Sequence, residues 1–267
     1  MIDTHVHVVA ADTETYPHAP DPPFATTKYV HDVEDLMADM RTAGVTGAAL
    51  VQPFGIYGTD NSYQLDAARR APDRFVGICG VSNEPDAPRT LRYWITDRGM
   101  DGGRIITLGQ GISLDDPGFL AVCREAERLE VPLCVLTSRK HVADLPRLAT
   151  RVPNLRIVLD HLGVSGGVTD AGEVIDRMAK LVDVENIYLK ISTPMLHSGD
   201  AGRRVVEFVL DRAGAARVLW GTNYPVTDLG GYAATVEVSR KALAFLSTDE
   251  RERVVTGTAR ELWPRLP

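Results

Sequence analysis

The sequence predicts an α/β fold, a (β/α)8 TIM barrel forming a single domain over residues 1–267, and three observations carry that prediction. The chain has 267 residues, close to the roughly 250 typical of such a barrel. About eight short apolar, often β-branched runs recur, mostly at intervals of roughly 25 to 35 residues, with helix-period segments between them. The runs are apolar throughout and do not alternate with polar residues, which is the pattern of parallel strands covered on both faces.

Taken in order, the candidate strands span residues 2–7, 48–52, 75–81, 103–108, 132–137, 156–161, 187–191 and 218–223. Between them, helices are expected over 31–43, 62–71, 87–98, 117–130, 142–152, 171–181, 201–213 and 232–246. Ala43-Gly44 and Ala213-Gly214 are stop signals, because glycine takes a left-handed terminal conformation without steric cost. A last helix over 249–262 is expected to close the bottom of the barrel. The Pro-rich stretch 10–29 follows the first strand, so a barrel places it over the mouth as a lid or a rigid loop.

Composition narrows the function. A net charge of -7 and a pI near 5.5 leave no positive field for phosphates or anionic lipid, so no nucleic-acid or membrane partner is expected. Cys79, Cys123 and Cys134 have neither disulfide-framework nor zinc-finger spacing. With no leader pattern and no long apolar run, a cytoplasmic protein is expected.

Chemistry concentrates at strand ends. Side chains at i and i+2 of a strand share a face, so His5 and His7 converge. His161 closes the run Arg156-Ile-Val-Leu-Asp-His where a strand opens into a loop, and it is expected to meet them at one mouth. By the same alternation, Asp160 should turn to the opposite side and serve structure. Arg104 suits a carboxylate, which its guanidinium can grip with two hydrogen bonds. Lys190 supplies a second cation for substrate, while Gln52 and Tyr16 are candidates to orient it, with His18 beside Tyr16 in the first long loop. Tyr224 is expected to pack, and Asp228 is the acid nearest the end of the last strand.

These features resemble the amidohydrolase superfamily, specifically the amidohydrolase-related group that includes 2-pyrone-4,6-dicarboxylate lactonase and the sugar-acid lactonases. The resemblance rests on DTHVH, LVQP, RFVGICGV, GGR, VPNLRIVLDHLG, ENIYLKIS, RVLWGTNYP and TGTARELW, in the group's order over nearly the whole chain. It implies contact between Arg104 and a substrate carboxylate or carbonyl. It also implies an aspartate at the end of the last strand, as metal ligand or water-activating base, where this chain has Asn223. The histidine that metal-dependent relatives often carry on the fifth strand is absent too, with Leu136-Thr137-Ser138 in its place. No cofactor is therefore expected. The alternative is one divalent metal, zinc or manganese, on His5, His7 and His161.

The leading expectation is a hydrolase opening a small anionic lactone or related cyclic ester. His5, His7, His161 and Asn223 form its catalytic group, with His161 as the base. Two alternatives stand beside it: a non-hydrolytic enzyme on the same scaffold (decarboxylase, isomerase, or cyclase/dehydratase), or a catalytically silent binding paralogue. A homodimer is a further expectation.

Overall fold

A computed structural model describes residues 1–20, 30–107, 113–164 and 166–267. Eight strands run in parallel: β1 (Ile2–Val6), β2 (Gly47–Val51), β3 (Phe75–Val81), β4 (Gly102–Ile106), β5 (Leu133–Leu136), β6 (Ile157–Leu159), β7 (Ile187–Ser192) and β8 (Val218–Gly221). Each pairs with its sequence neighbour in the order β1 to β8, as consecutive right-handed βα units require. The ring closes between β8 and β1 through side-chain and backbone bonds. Asp3, fully buried, accepts from the Thr222 backbone N–H at 2.9 Å, its hydroxyl at 2.6 Å and the Tyr232 hydroxyl at 3.1 Å. The Asn223 N–H reaches the His5 carbonyl at 2.8 Å and the His7 N–H reaches the Tyr224 carbonyl at 2.8 Å.

Around the strands lie α1 (Val33–Ala43), α2 (Phe54–Tyr57), α3 (Ser62–Arg70), α4 (Ala87–Arg92), α5 (Pro117–Arg128), α6 (Leu145–Arg151), α7 (Ala171–Met178), α8 (Thr193–Leu196), α9 (Gly199–Ala213), α10 (Tyr232–Ala242), α11 (Thr248–Glu252) and α12 (Thr258–Leu262). Local chemistry sets their ends. Asp32 caps α1 by accepting from the Asp35 N–H at 2.9 Å, and Gly44 ends it at φ 68°, ψ 30°. Gly214 also has positive φ, but at φ 75°, ψ 153° it turns the chain without the left-handed helical stop expected there. The predicted helix over 142–152 starts as a 3-10 turn and becomes α-helical only with α6, whose Pro146 has no N–H to donate to the preceding turn. The single-turn helices α2 and α8, too short to show a period, are absent from the sequence reading.

The bottom of the barrel is an apolar plug. Ile2, Ala49, Val51, Val76, Ile78, Cys134, Val158 and Leu219 fill the interior, and Leu262, Trp263 and Leu266 cover it from below, as the expected last helix should. Leu108 of the predicted fourth strand, and residues 21–29 of the predicted lid, lie outside the described residues. No described helix is long and apolar enough to cross a membrane.

Candidate active site

Above the plug the interior changes character. β6 ends at Leu159, and Asp160 follows Val158 by two positions, so the regular alternation carries it inward. His161 (φ 55°, ψ 26°) and Leu162 (φ 52°, ψ 29°) then adopt left-handed backbone, which breaks the alternation and lets His161 enter the same space. The expectation that Asp160 faces the helices is thus corrected: it is the hub of the site.

Asp160 is fully buried, with Oδ2 at 2.9 Å from Arg104 Nε and Oδ1 at 2.9 Å from Lys190 Nζ. Burial alone would raise its carboxyl, but Lys190 and the other neighbours outweigh burial and hold it well below the usual carboxylate range. Two basic side chains thus share one carboxylate, and the cluster carries a surplus positive charge.

The imidazoles around it are neutral. Burial, then the nearby Arg104, pushes His7 down to about 3. Burial likewise takes His161 down to about 4 and His5 well below its ordinary value. Their rings form a cluster, with centroids 4.9 Å apart for His5 and His7 and 4.4 Å for His5 and His161. The β1–β2 register shifts between Asp3 and Val6, and the HxH pair still shares the inner face as predicted.

A backbone partner fixes the His7 tautomer. His7 Nδ1 lies 2.7 Å from the Val51 carbonyl, which can only accept, so Nδ1 carries the proton and Nε2 keeps a lone pair. His5 Nδ1 faces both a donor, Lys190 Nζ at 3.3 Å, and an acceptor, Asp160 Oδ1 at 3.4 Å. Among the described residues, His5 Nε2 and His161 Nδ1 are buried without a hydrogen-bond partner.

A cavity of ≈ 310 Å³ opens over this cluster, at the small end of the roughly 300–1,000 Å³ range of ligand pockets. His7, Arg104, His161 and Asn223 line it, as does Ser192, which the sequence reading missed although it lies two positions beyond Lys190 on β7. Asn223 sits at φ 62°, a left-handed position that Asn and Asp tolerate better than other side chains.

The remaining candidates are elsewhere. His5 and Lys190 are fully buried and do not line the cavity. Gln52 donates from its amide nitrogen to the Gly58 and Asp60 carbonyls and does not line the cavity. Tyr16 donates to Asp66 at 2.9 Å and packs on Tyr63, and His18 meets Tyr57 edge-on. Tyr224 packs edge-on against His31 and Tyr232, and Asp228 accepts from the Gly230 and Gly231 N–H groups in an exposed turn.

His5, Asp160 and His161 bring potential ligand atoms within 4.8 Å of one another. This set does not fit a resident divalent metal. Its single carboxylate already serves Arg104 and Lys190, so a further cation would meet uncompensated positive charge. Asn223 adds an amide where a carboxylate ligand is needed.

Comparison with known proteins agrees with this architecture. An L-fucono-1,5-lactonase of Burkholderia ambifaria is 28% identical over 244 residues, covering 85% of this chain and 82% of the relative. A 4-sulfomuconolactone hydrolase of Rhizobium radiobacter is 28% identical over 241 residues, covering 84% and 75%. The crystal structure of a probable 2-pyrone-4,6-dicarboxylic acid hydrolase from Acinetobacter baumannii, with citric acid bound, superposes with a TM-score of 0.79 at 22% identity, over 98% of both chains. The amidohydrolase family model matches residues 2–265, and the chain belongs to the amidohydrolase family.

Proposed function

We propose that the protein is a hydrolase that opens a small anionic lactone or related cyclic ester, working without a resident metal or organic cofactor. The observation that carries this reading is the surplus positive charge of Arg104, Lys190 and Asp160 beneath a small cavity rimmed by neutral imidazoles. A buried surplus cation favours an anionic guest and disfavours a metal. The two curated relatives, both named for lactone hydrolysis, support the reaction type.

In this reading Arg104 holds the substrate's anionic group. Asp160 takes its Nε, the Gln52 carbonyl accepts from Nη1 at 3.5 Å, and the residue lines the cavity. His7 receives the proton of the attacking water, because its Nδ1–H is tied to Val51 and its lone pair stands on the other edge of the ring. His7 is preferred to His161 for this duty because His161 Nδ1 has no described partner to set its tautomer.

Water oxygen bonds to the lactone carbonyl carbon, the ring C–O bond breaks, and the proton passes from His7 to the departing alkoxide. Arg104 is the second cause of the low His7 value, so an anion seated on Arg104 offsets it and raises the basicity of His7 when substrate is present. The three cysteines are free and buried, which suits a reducing, cytoplasmic setting.

The test is ring-opening of a lactone panel in chelator-treated buffer. Turnover is expected to survive the chelator, and His7→Asn to lower kcat by about 10²–10⁴. Activity that vanishes with chelator and returns with zinc or manganese removes the metal-free reading, and full rate in His7→Asn removes the assigned base.

A further inference from the structure

The cavity is built in two tiers, and the tiers state what kind of lactone fits. Its floor is polar: His7, Arg104, His161, Ser192 and Asn223. Two positions further along the chain from four of these, the lining turns apolar. Val9 follows His7, Ile106 follows Arg104, Pro194 follows Ser192 and Pro225 follows Asn223. Arg104 and Ile106 share β4, where a step of two keeps the same face and moves toward the mouth; Val9, Pro194 and Pro225 follow the C-terminal ends of β1, β7 and β8, on the mouth side of the barrel, so the second tier is a collar above the floor. Leu136, Phe54 and Ile56 complete it. Among the described lining residues, Arg104 is the one Lys or Arg; Lys190 is sealed below with no exposure.

Resting on the lactone-hydrolase reading, we propose that the substrate is a hydrocarbon-bodied lactone. It carries a single anionic group close to its reacting carbonyl, and an alkyl, vinyl or aryl remainder occupies the collar. The single cation among the described lining residues and the imidazoles lie on the same floor, so charge and scissile bond share one end of the molecule. A polyhydroxylated sugar lactone would bring several hydroxyls against the Val9, Ile106, Leu136 and Pro225 side chains, where each loses its water partner and gains none from these described side chains. A second carboxylate on the far side would meet the same apolar ring. The collar therefore selects against both the sugar-acid and the dicarboxylate types.

The experiment compares kcat/KM for three lactones of equal ring size. One carries a carboxylate beside the carbonyl and an alkyl or phenyl substituent, the second is a polyhydroxylated aldonolactone bearing the same carboxylate, and the third is an unsaturated dicarboxylate. The first is expected to exceed the other two by at least about 100-fold, given the roughly 10²-fold scale of discrimination between hydroxylated and hydrocarbon isosteres. Comparable or better turnover of the aldonolactone or the dicarboxylate overturns the proposal and leaves the hydrolase reading intact.

If no lactone is opened, the hydrolase reading fails by itself. Thermal stabilisation by benzoate against gluconate then decides the collar separately: benzoate favoured sustains it, and gluconate favoured overturns it. As a second check, Leu136→Asn should narrow the preference for the hydrocarbon lactone by about tenfold, consistent with one buried polar contact of ~1–3 kcal/mol. An unchanged ratio in that variant removes the collar as its cause.

Discussion

The lower and upper halves of this barrel are made by the same strands two residues apart, yet they hold opposite contents. On β6 the inward position is Val158 in the plug and Asp160 above it; on β7 it is Tyr188 and then Lys190; on β8 it is Leu219 below, with Asn223 lining the cavity beyond the strand end. The lower tier buries hydrocarbon, which stabilises without direction. The upper tier buries an ion cluster, whose desolvation costs free energy that mutual pairing offsets only while every partner is present. Stability and chemistry are thus separated along the barrel axis, as in barrels whose reacting groups sit at the C-terminal strand ends.

One substitution in each tier tests that separation most severely. Asp160→Asn leaves Arg104 and Lys190 without their shared carboxylate, and breaking a buried pair costs about 3–5 kcal/mol. The variant should melt earlier and, per folded molecule, turn over little substrate, because Arg104 then keeps only its long 3.5 Å hydrogen bond to the Gln52 carbonyl. Leu219→Ala should cost about 2–5 kcal/mol by leaving a cavity, with kcat/KM per folded molecule nearly unchanged. Denaturation curves and assays corrected for folded fraction check both. A fully active Asp160→Asn, or a well-folded but inactive Leu219→Ala, would break the division of labour.

The acid response separates the tiers next. His7 and His161 titrate at about 3 and about 4 when folded, below the ordinary histidine value of 6.5, so the unfolded chain binds protons first as pH falls. Stability is therefore fully present above about pH 6.5 and declines toward pH 4, by ~1.4 kcal/mol per pH unit for each such histidine. Asp160, held low by its partners, adds loss in the same direction only at still lower pH. Melting temperature should fall through this window, with His7→Asn reducing the slope, while kcat/KM of the folded enzyme shows no acid limb centred near 6.5. Such a limb at constant melting temperature would mean that the imidazoles are hydrated and lie outside the buried tier.

How much of this was legible from sequence follows the same division. The plug and the strand order announce themselves, because a buried parallel strand must be apolar at nearly every position. Arg104 was legible because regular alternation carries it inward, and His5 and His7 because a spacing of two keeps them on one face despite the register shift in β1 between Asp3 and Val6. Asp160 was misread for a backbone reason. Counting back from His161 assumes an unbroken strand, whereas β6 stops at Leu159 and His161 reaches the site only through left-handed backbone at a non-glycine residue. Anchoring the count on Val158 would have turned Asp160 inward. Lys190 was legible as a cation, but its commitment to Asp160 is a contact between the neighbouring strand ends of β6 and β7, residues 30 positions apart in sequence, which periodicity within one strand does not encode. Gln52 and Tyr16 were plausible by position alone, and local partners in the α2 and α3 regions claim both.

The mildest perturbation of the upper tier is Asn223→Asp. The left-handed φ of 62° suits both side chains, so stability should change by no more than about 0.5 kcal/mol. The new carboxylate, however, lines the cavity with Arg104 and cancels the surplus positive charge that the ion cluster presents to an anion. KM for an anionic lactone should therefore rise by about tenfold, equivalent to ~1.4 kcal/mol, with kcat much less affected. The difference should shrink as salt screens the pocket mouth. Initial-rate measurements at low and high ionic strength check this. A rise in kcat at constant KM would argue the reverse: water activation by a carboxylate at this position would then matter more than net charge, and the floor would be organised around its nucleophile instead of its anion.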